Sequence, residues 1–171
     1  FGNIWVSTLG GGLNKFNYRN DQRTIEFIHF KNNLNDSNSL NNNAVVHIKP
    51  DEQGKLYIAT HVGGLDLFDP VTGKFAHIKP GNAIPGNAMD SLHHIFIENN
   101  RYLWLGGENG LARVDRSSNH FNVFRFNTED EKGISGATVF SIAKDKKNNM
   151  WFANVGGVDK FISDSNAFRH Y

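Results

Sequence analysis

The 171-residue sequence contains no cysteine. That excludes a disulfide framework and any thiolate chemistry. It does not locate the protein, since a cysteine-free chain suits oxidising and reducing compartments alike. Net charge is also nearly absent, with 18 basic and 17 acidic residues for a formal +1. A net basic patch is what nucleic acid or an anionic membrane surface would need, so neither is an expected partner of this segment. No window approaches the ~18 consecutive apolar residues of a membrane span. There is no initiator Met, and no charged start leading into an apolar run that would read as a signal peptide. The chain is strand-like within five residues of Phe1. The expectation is a piece of a larger protein whose targeting signals lie elsewhere. Capped stretches of helical period are missing too.

What the sequence has is a repeat. Four segments align: Asn3-Ile4-Trp5-Val6-Ser7-Thr8, Lys55-Leu56-Tyr57-Ile58-Ala59-Thr60, Tyr102-Leu103-Trp104-Leu105-Gly106-Gly107 and Asn149-Met150-Trp151-Phe152-Ala153-Asn154. Their central aromatics are spaced by 52, 47 and 47 residues. Glycine followed by an aliphatic comes next in each, at Gly12-Leu13, Gly64-Leu65, Gly110-Leu111 and Gly157-Val158. Phe16, Phe68, Val114 and Phe161 form a further column, and Phe27, Phe75, Phe121 and Phe168 another. Ile48, Ile95 and Ile142 precede the aromatics by nine residues.

Each unit reads as four short strands, in the second about 44–49, 55–60, 64–68 and 74–78. Apolar and polar residues alternate there, and Asp51-Glu52-Gln53-Gly54 and Asp69-Pro70-Val71-Thr72-Gly73 supply turns. Four antiparallel strands repeating at about 40–50 residues mark a β-propeller blade. The fold class is all-β: three complete blades near 43–80, 90–126 and 137–171, and a partial one near 2–30 that lacks its first strand. Four blades is the lower limit for closure, so the expectation is part of a wider ring. It would be completed by further blades of the parent chain or by a second copy. Trp5, Tyr57, Trp104 and Trp151 are expected between blades, where large rings bury the most area. The glycines are expected at tight turns and close backbone approaches.

The histidines do not read as a metal site. His29, His77 and His170 each follow the fourth-strand phenylalanine by two residues, where the third unit has Val123. Equivalent positions in different blades lie too far apart for zinc bonds of ~2.0–2.1 Å. His93 and His94 are neighbours on a strand and point to opposite faces. No metal and no cofactor are expected.

The motif Ile4-Trp5-Val6-Ser7-Thr8 leading to Gly10-Gly11-Gly12-Leu13-Asn14-Lys15-Phe16 resembles the two-component regulator propeller repeat. So does Leu56-Tyr57-Ile58-Ala59-Thr60 with Gly63-Gly64-Leu65-Asp66-Leu67-Phe68, and the Asn/Asp/Ser/Leu linker over 35–43. The third unit departs from the pattern, being one residue shorter at Glu108-Asn109. The resemblance implies the periplasmic part of a membrane-bound sensor histidine kinase, often a hybrid two-component system of Bacteroidetes. Such sensors commonly detect oligosaccharides and switch on glycan-utilisation genes. This segment carries no kinase or DNA-binding part and is not expected to be an enzyme.

Propeller ligands bind at one end of the axis, on blade-joining loops and on turns between second and third strands. The candidates are the polar residues that vary while the framework repeats. They are Asn41, Asn42 and Asn43 before the second unit, Asp90 before the third, and His61, Glu108, Asn109 and Asn154 at the turns. Amides and carboxylates suit sugar hydroxyls, although Asn and Asp also favour turns for local reasons. Two other functions compete. A sugar hydrolase or lyase would need two converging carboxylates, for which Glu108 and Asp90 are the pair to test. A protein–protein platform of the kelch or WD type is the other, but here the diglycines follow the aromatics and no unit ends in Trp-Asp.

Overall fold

The computed structural model of the chain describes residues 3–19, 24–79 and 89–171. Among them, strands form four antiparallel sheets. Blade I holds β1 (Ile4–Thr8), β2 (Gly12–Arg19) and β3 (Thr24–Phe30). Blade II holds β4 (Val45–Pro50), β5 (Leu56–Thr60), β6 (Gly64–Asp69) and β7 (Lys74–Ile78). Blade III holds β8 (Leu92–Glu98), β9 (Tyr102–Gly107), β10 (Gly110–Asp115) and β11 (His120–Phe124). Blade IV holds β12 (Val139–Lys144), β13 (Met150–Asn154), β14 (Gly157–Ile162) and β15 (Ala167–His170). The strands of blade II fall within a residue of those the sequence predicts. In blade I the strand bearing Trp5 is the first of three. The unit limits expected at Gly2 and Pro80 lie outside the described residues.

Side-chain acceptors close the first hairpins of blades II and IV. Asp51 Oδ1 accepts from the backbone N–H of Gln53 and Lys55, both at 2.9 Å. Asp145 Oδ1 does the same for Lys147 and Asn149 at 2.8 and 2.9 Å. A side-chain acceptor that satisfies two turn amides is why Asp starts both loops.

The core lies between blades, not within them. Leu13, Leu40, Ile58 and Phe68 fill the I–II interface with Trp5. Tyr57, Leu65, Leu92 and Leu105 fill II–III. Trp104, Ile134, Phe152 and Phe161 fill III–IV. Trp104 is 0% exposed, a burial that contributes roughly 4–6 kcal/mol at ~25 cal/mol per Å². Trp151, at the same register, packs on Tyr171 and is partly exposed.

The inner strand of each complete blade carries a feature the alternation did not reveal. Pairing shifts between Val45 and His47, between Leu92 and His94, and between Val139 and Ser141. A β-bulge therefore displaces Val46, His93 and Phe140 in turn. His94 then stacks on His47 of blade II at 4.4 Å, and His93 faces Phe140 of blade IV at 5.6 Å. The Ile95 N–H donates to His47 Nδ1 at 3.2 Å. Burial, helped by His94 and Lys49, lowers the His47 pKa to about 4.

A second device fastens the linkers. His77 Nδ1 lies 2.7 Å from the buried Asp66 Oδ1, and Asp66 Oδ2 accepts from the Asn41 N–H at 2.8 Å. His170 repeats the contact with Asp159 at 2.8 Å, and Asp159 Oδ2 accepts from the Ser135 N–H at 2.8 Å. His77 Nε2 reaches the Ser37 carbonyl and His170 Nε2 the Glu131 carbonyl, at 3.1 and 3.0 Å. In each case a histidine and a buried aspartate on one blade hold the linker that precedes it. The linkers also insert an apolar plug, Leu40 at 0% and Ile134 at 1% exposure.

Candidate functional site

Antiparallel order puts two kinds of loop at opposite ends of the blades. Turns between first and second strands share one end with turns between third and fourth strands. The other end gathers the second-to-third-strand turns and the linkers, and the sequence candidates lie there.

Backbone hydrogen bonds tie the turns to the linkers before and after their blades. Gly10 and Gly12 donate to the Asn43 carbonyl at 2.9 Å, and Gly63 and Gly64 donate to the Asp90 carbonyl at 2.9 Å. His61 donates to the Ala44 carbonyl and Glu108 to that of Ser91, at 2.9 and 3.0 Å. The turns are thus held on a rigid frame, which preorganises whatever their side chains present.

The structure divides the candidates into two sets. Asn41 donates to the Gly63 carbonyl as well as to Asp66. Asn42 Oδ1 accepts from the Ala44 N–H and Asn43 Oδ1 from the Asn32 N–H, at 2.8 and 2.7 Å. Asn154 is buried, accepts from Gly156 N–H and Ser135 Oγ, and donates to Asp159 at 2.6 Å. These four amides brace the frame. His61, Asp90, Glu108 and Asn109 are exposed. Of these, His61 Nε2 and Glu108 Oε1 meet across blades II and III at 3.7 Å. Glu108 also offers its carbonyl to Thr138 Oγ1 of blade IV at 3.3 Å.

Around this pair the same end exposes apolar side chains: Leu9, Val62 and Val155 on equivalent turns, at 78%, 57% and 62%, and the bulged Phe140 at 52%. The sequence reading passed over them because it sought polar variation alone. The Asp66–His77 and Asp159–His170 clasps were also missed. Their signal was present as an aspartate eleven residues before a histidine in the second and fourth units.

The opposite end holds clefts between blades. A cleft of about 520 Å³ is walled by Asp51, Glu52, Tyr57, Arg101 and Arg116. Arg116 spans it, donating to Asp51 at 3.2 Å, Glu52 at 3.0 Å and the Tyr57 hydroxyl at 3.1 Å. Its charge is already matched, so it locks blade III to blade II. Among the described residues no group of three His, Asp or Glu side chains is arranged to hold a metal ion. No helix there is long and apolar enough to cross a membrane.

Residues 133–156 match the family described as two component regulator propeller. No curated protein sequence matches the chain. Among solved structures, the extracellular domain of the hybrid two-component system BT3049 from B. thetaiotaomicron is similar at 26% identity, with a TM-score of 0.79 over 98% of this chain. The extracellular domain of BT4673 from the same organism shares 22% identity and a TM-score of 0.77 over 99% of the chain, a likeness of fold. PorZ of Porphyromonas gingivalis, a surface component of the type-IX secretion system, shares the fold at 16% identity and a TM-score of 0.66. The chain spans 21% to 23% of the length of these three structures. It is a run of β-propeller blades in which residues 133–156 match the two-component regulator propeller family, and its fold is that of the extracellular domains of hybrid two-component systems.

Proposed function

We propose that this chain is an extracytoplasmic, periplasmic ligand-sensing segment of a two-component sensor histidine kinase anchored in the inner membrane, and that its ligand is an oligosaccharide. The observation that carries the reading is its likeness, over 98% of its length, to the extracellular domain of a hybrid two-component system. The linker end supports the ligand class. His61 and Glu108 offer two polar groups 3.7 Å apart, each able to hydrogen-bond a ligand, and Val62 and Phe140 offer exposed apolar surface at the same end. Sugars present hydroxyls on their edges and C–H groups on their faces, so polar and apolar groups side by side suit them. Binding would feed transcription of glycan-utilisation genes through the parent kinase. The segment itself contributes recognition, not catalysis, and further blades of the parent chain or a second copy complete the ring.

Calorimetry of the complete parent ectodomain against a panel of glycan oligosaccharides tests this. Micromolar binding to one glycan class, weakened tenfold or more by His61→Ala or Glu108→Ala, supports it. Binding that both variants leave intact moves the site off this end. One observation favours a second reading. Leu9, Val62 and Val155 repeat an exposed apolar residue on three turns, as a protein-docking platform would. No binding across the panel, with a specific partner protein recovered instead, would select it.

A further inference from the structure

Three of the four blades place a cation over the second-strand tryptophan. Lys15 lies 5.8 Å from the Trp5 ring, Arg113 lies 5.6 Å from Trp104, and Lys160 lies 5.8 Å from Trp151. Blade II has Leu67 at this register. The repeat therefore explains a cation at position 113, since cation–π contact holds the side chain down at the blade surface. It does not explain why blade III alone uses arginine, or what surrounds it.

Arg113 is closest to Tyr102, with its guanidinium carbon 3.9 Å from the ring centroid. The repeat has Asn3, Lys55 and Asn149 where blade III has Tyr102. Arg101 lies 4.9 Å from the same ring. Arg101 is matched by Asp115, with Nε 3.2 Å from Oδ2. Among the described residues Arg113 has aromatic contacts only, with Tyr102, Trp104 and Phe161, and no ion pair or hydrogen bond. A half-buried guanidinium carries five N–H donors in a fixed fork. Aromatic faces leave that fork unfilled.

The fork borders a cleft of about 330 Å³ between blades III and IV, walled by Tyr102, Arg113, Asp115, Ser118, Asn122 and Asn166. That volume is within the range of small-ligand sites. Asn122 Nδ2 donates to Asn166 Oδ1 at 3.3 Å across the two blades, which orients the Asn166 amide as a further donor. The one acidic wall, Asp115, is already occupied. Its Oδ1 accepts from Ser117 N–H and Oγ and from Ser118 N–H, and its Oδ2 from Arg101.

We propose that this cleft is an oxyanion site, in which the Arg113 fork takes the carboxylate or sulfate group of a ligand of its own. Tyr102 holds the guanidinium flat, and Asn166 supplies an additional N–H. Arginine stacked on an aromatic ring is preorganised for bidentate contact with a planar or tetrahedral oxyanion, whereas lysine offers only a point charge. The site lies at the opposite end of the blades from His61 and Glu108 and does not depend on the function proposed for that end.

The test is calorimetry and ¹H–¹⁵N NMR titration of the full 171-residue chain with sodium glucuronate, sodium sulfate and glucose at matched ionic strength. The expected result is saturable binding of glucuronate or sulfate that shifts the Arg113 Nε resonance, with no such shift from glucose. Tighter glucuronate identifies a sugar-borne carboxylate, and tighter sulfate identifies a sulfate group. Arg113→Lys keeps the cation the repeat uses at this register, so the thermal midpoint should stay put while oxyanion affinity falls at least tenfold. Asn166→Ala should weaken it several-fold. Unchanged affinity in Arg113→Lys, equal binding of glucose, or no saturable oxyanion binding would each overturn the assignment.

Discussion

His170 Nδ1 stands 2.8 Å from the buried carboxylate of Asp159, while its Nε2 stands 3.0 Å from the Glu131 carbonyl. Both neighbours accept hydrogen bonds, so the protonated ring, with an N–H on each nitrogen, satisfies both of them. The hydrogen bond to Asp159, then the Glu131 carbonyl, raises the His170 pKa against the opposing effect of burial. A histidine with a raised folded pKa contributes stability that is fully present below its ordinary value and lost as pH rises through the raised one. The ring is 40% exposed, so solvent screening limits the effect to about 1 kcal/mol or less. Thermal denaturation should show a small loss of stability as pH rises above about 6.5, the ordinary histidine value, and His170→Ala should remove that slope.

His47 has the opposite sign. Its pKa falls to about 4 in the fold, so its contribution is present above the ordinary histidine value and lost as pH drops toward 4. The chain should weaken between about pH 6.5 and 4, the interval from the ordinary histidine value to the lowered one. His47→Asn keeps an acceptor for the Ile95 N–H and should flatten the part of that limb due to His47 in the same scans.

Blade III lacks the clasp, having Ala112 and Val123 where blade II has Asp66 and His77. Ala112 is fully buried. Ala112→Asp brings the repeat pattern into an apolar site and should cost roughly 3 kcal/mol, since an unmatched buried carboxylate is expensive. Adding Val123→His should return at least about 1 kcal/mol, because the new imidazole bonds the carboxylate. Urea unfolding of the single and double variants measures the coupling. A double variant no better than the single one would show that the linker, not the histidine, makes the clasp stable.

The tryptophan column should respond unequally. Trp104→Ala opens the III–IV core and should cost about 3–5 kcal/mol. Trp151→Ala, at the same register but partly exposed, should cost well under half of that by the same unfolding measurement.

Two glycines with positive φ should also separate. At Gly110, φ is +124° and an added Cβ would sit 2.3 Å from the Phe124 carbonyl oxygen. At Gly54, φ is +80° and nothing lies within 4 Å. Gly54→Ala should cost the conformational strain alone, about 1–2 kcal/mol. Gly110→Ala should cost clearly more, because backbone must move.

The repeat made the blades legible. Trp5, Tyr57, Trp104 and Trp151 recur because every blade presents one face to the next, and the same packing problem selects the same large ring. Glycine recurs after each because the third strand passes close to backbone. Strand periodicity and Asp-led turns are local physics, so the strands of blade II could be drawn within a residue. The inner-strand bulges were not legible, since Val46, His93 and Phe140 share no chemistry and a bulge leaves only a slip in register.

For the site, chain chemistry nominated eight polar residues, and only the folded arrangement could sort them. Asn154 and Asn41 are amides like any other until the linker returns beside Asp159 and Asp66 and takes up their hydrogen bonds. His61 and Glu108 are separated by 47 residues of sequence and become neighbours because blades stack at a fixed angle. The same stacking leaves Arg113 with aromatic partners and an open fork. The sequence by itself determined the repeat, the strands and the apolar columns, because those depend on periodicity and on residue size. The tertiary structure alone decided which polar groups are spent on the frame and which face solvent, because hydrogen-bond satisfaction depends on neighbours that the chain order does not name.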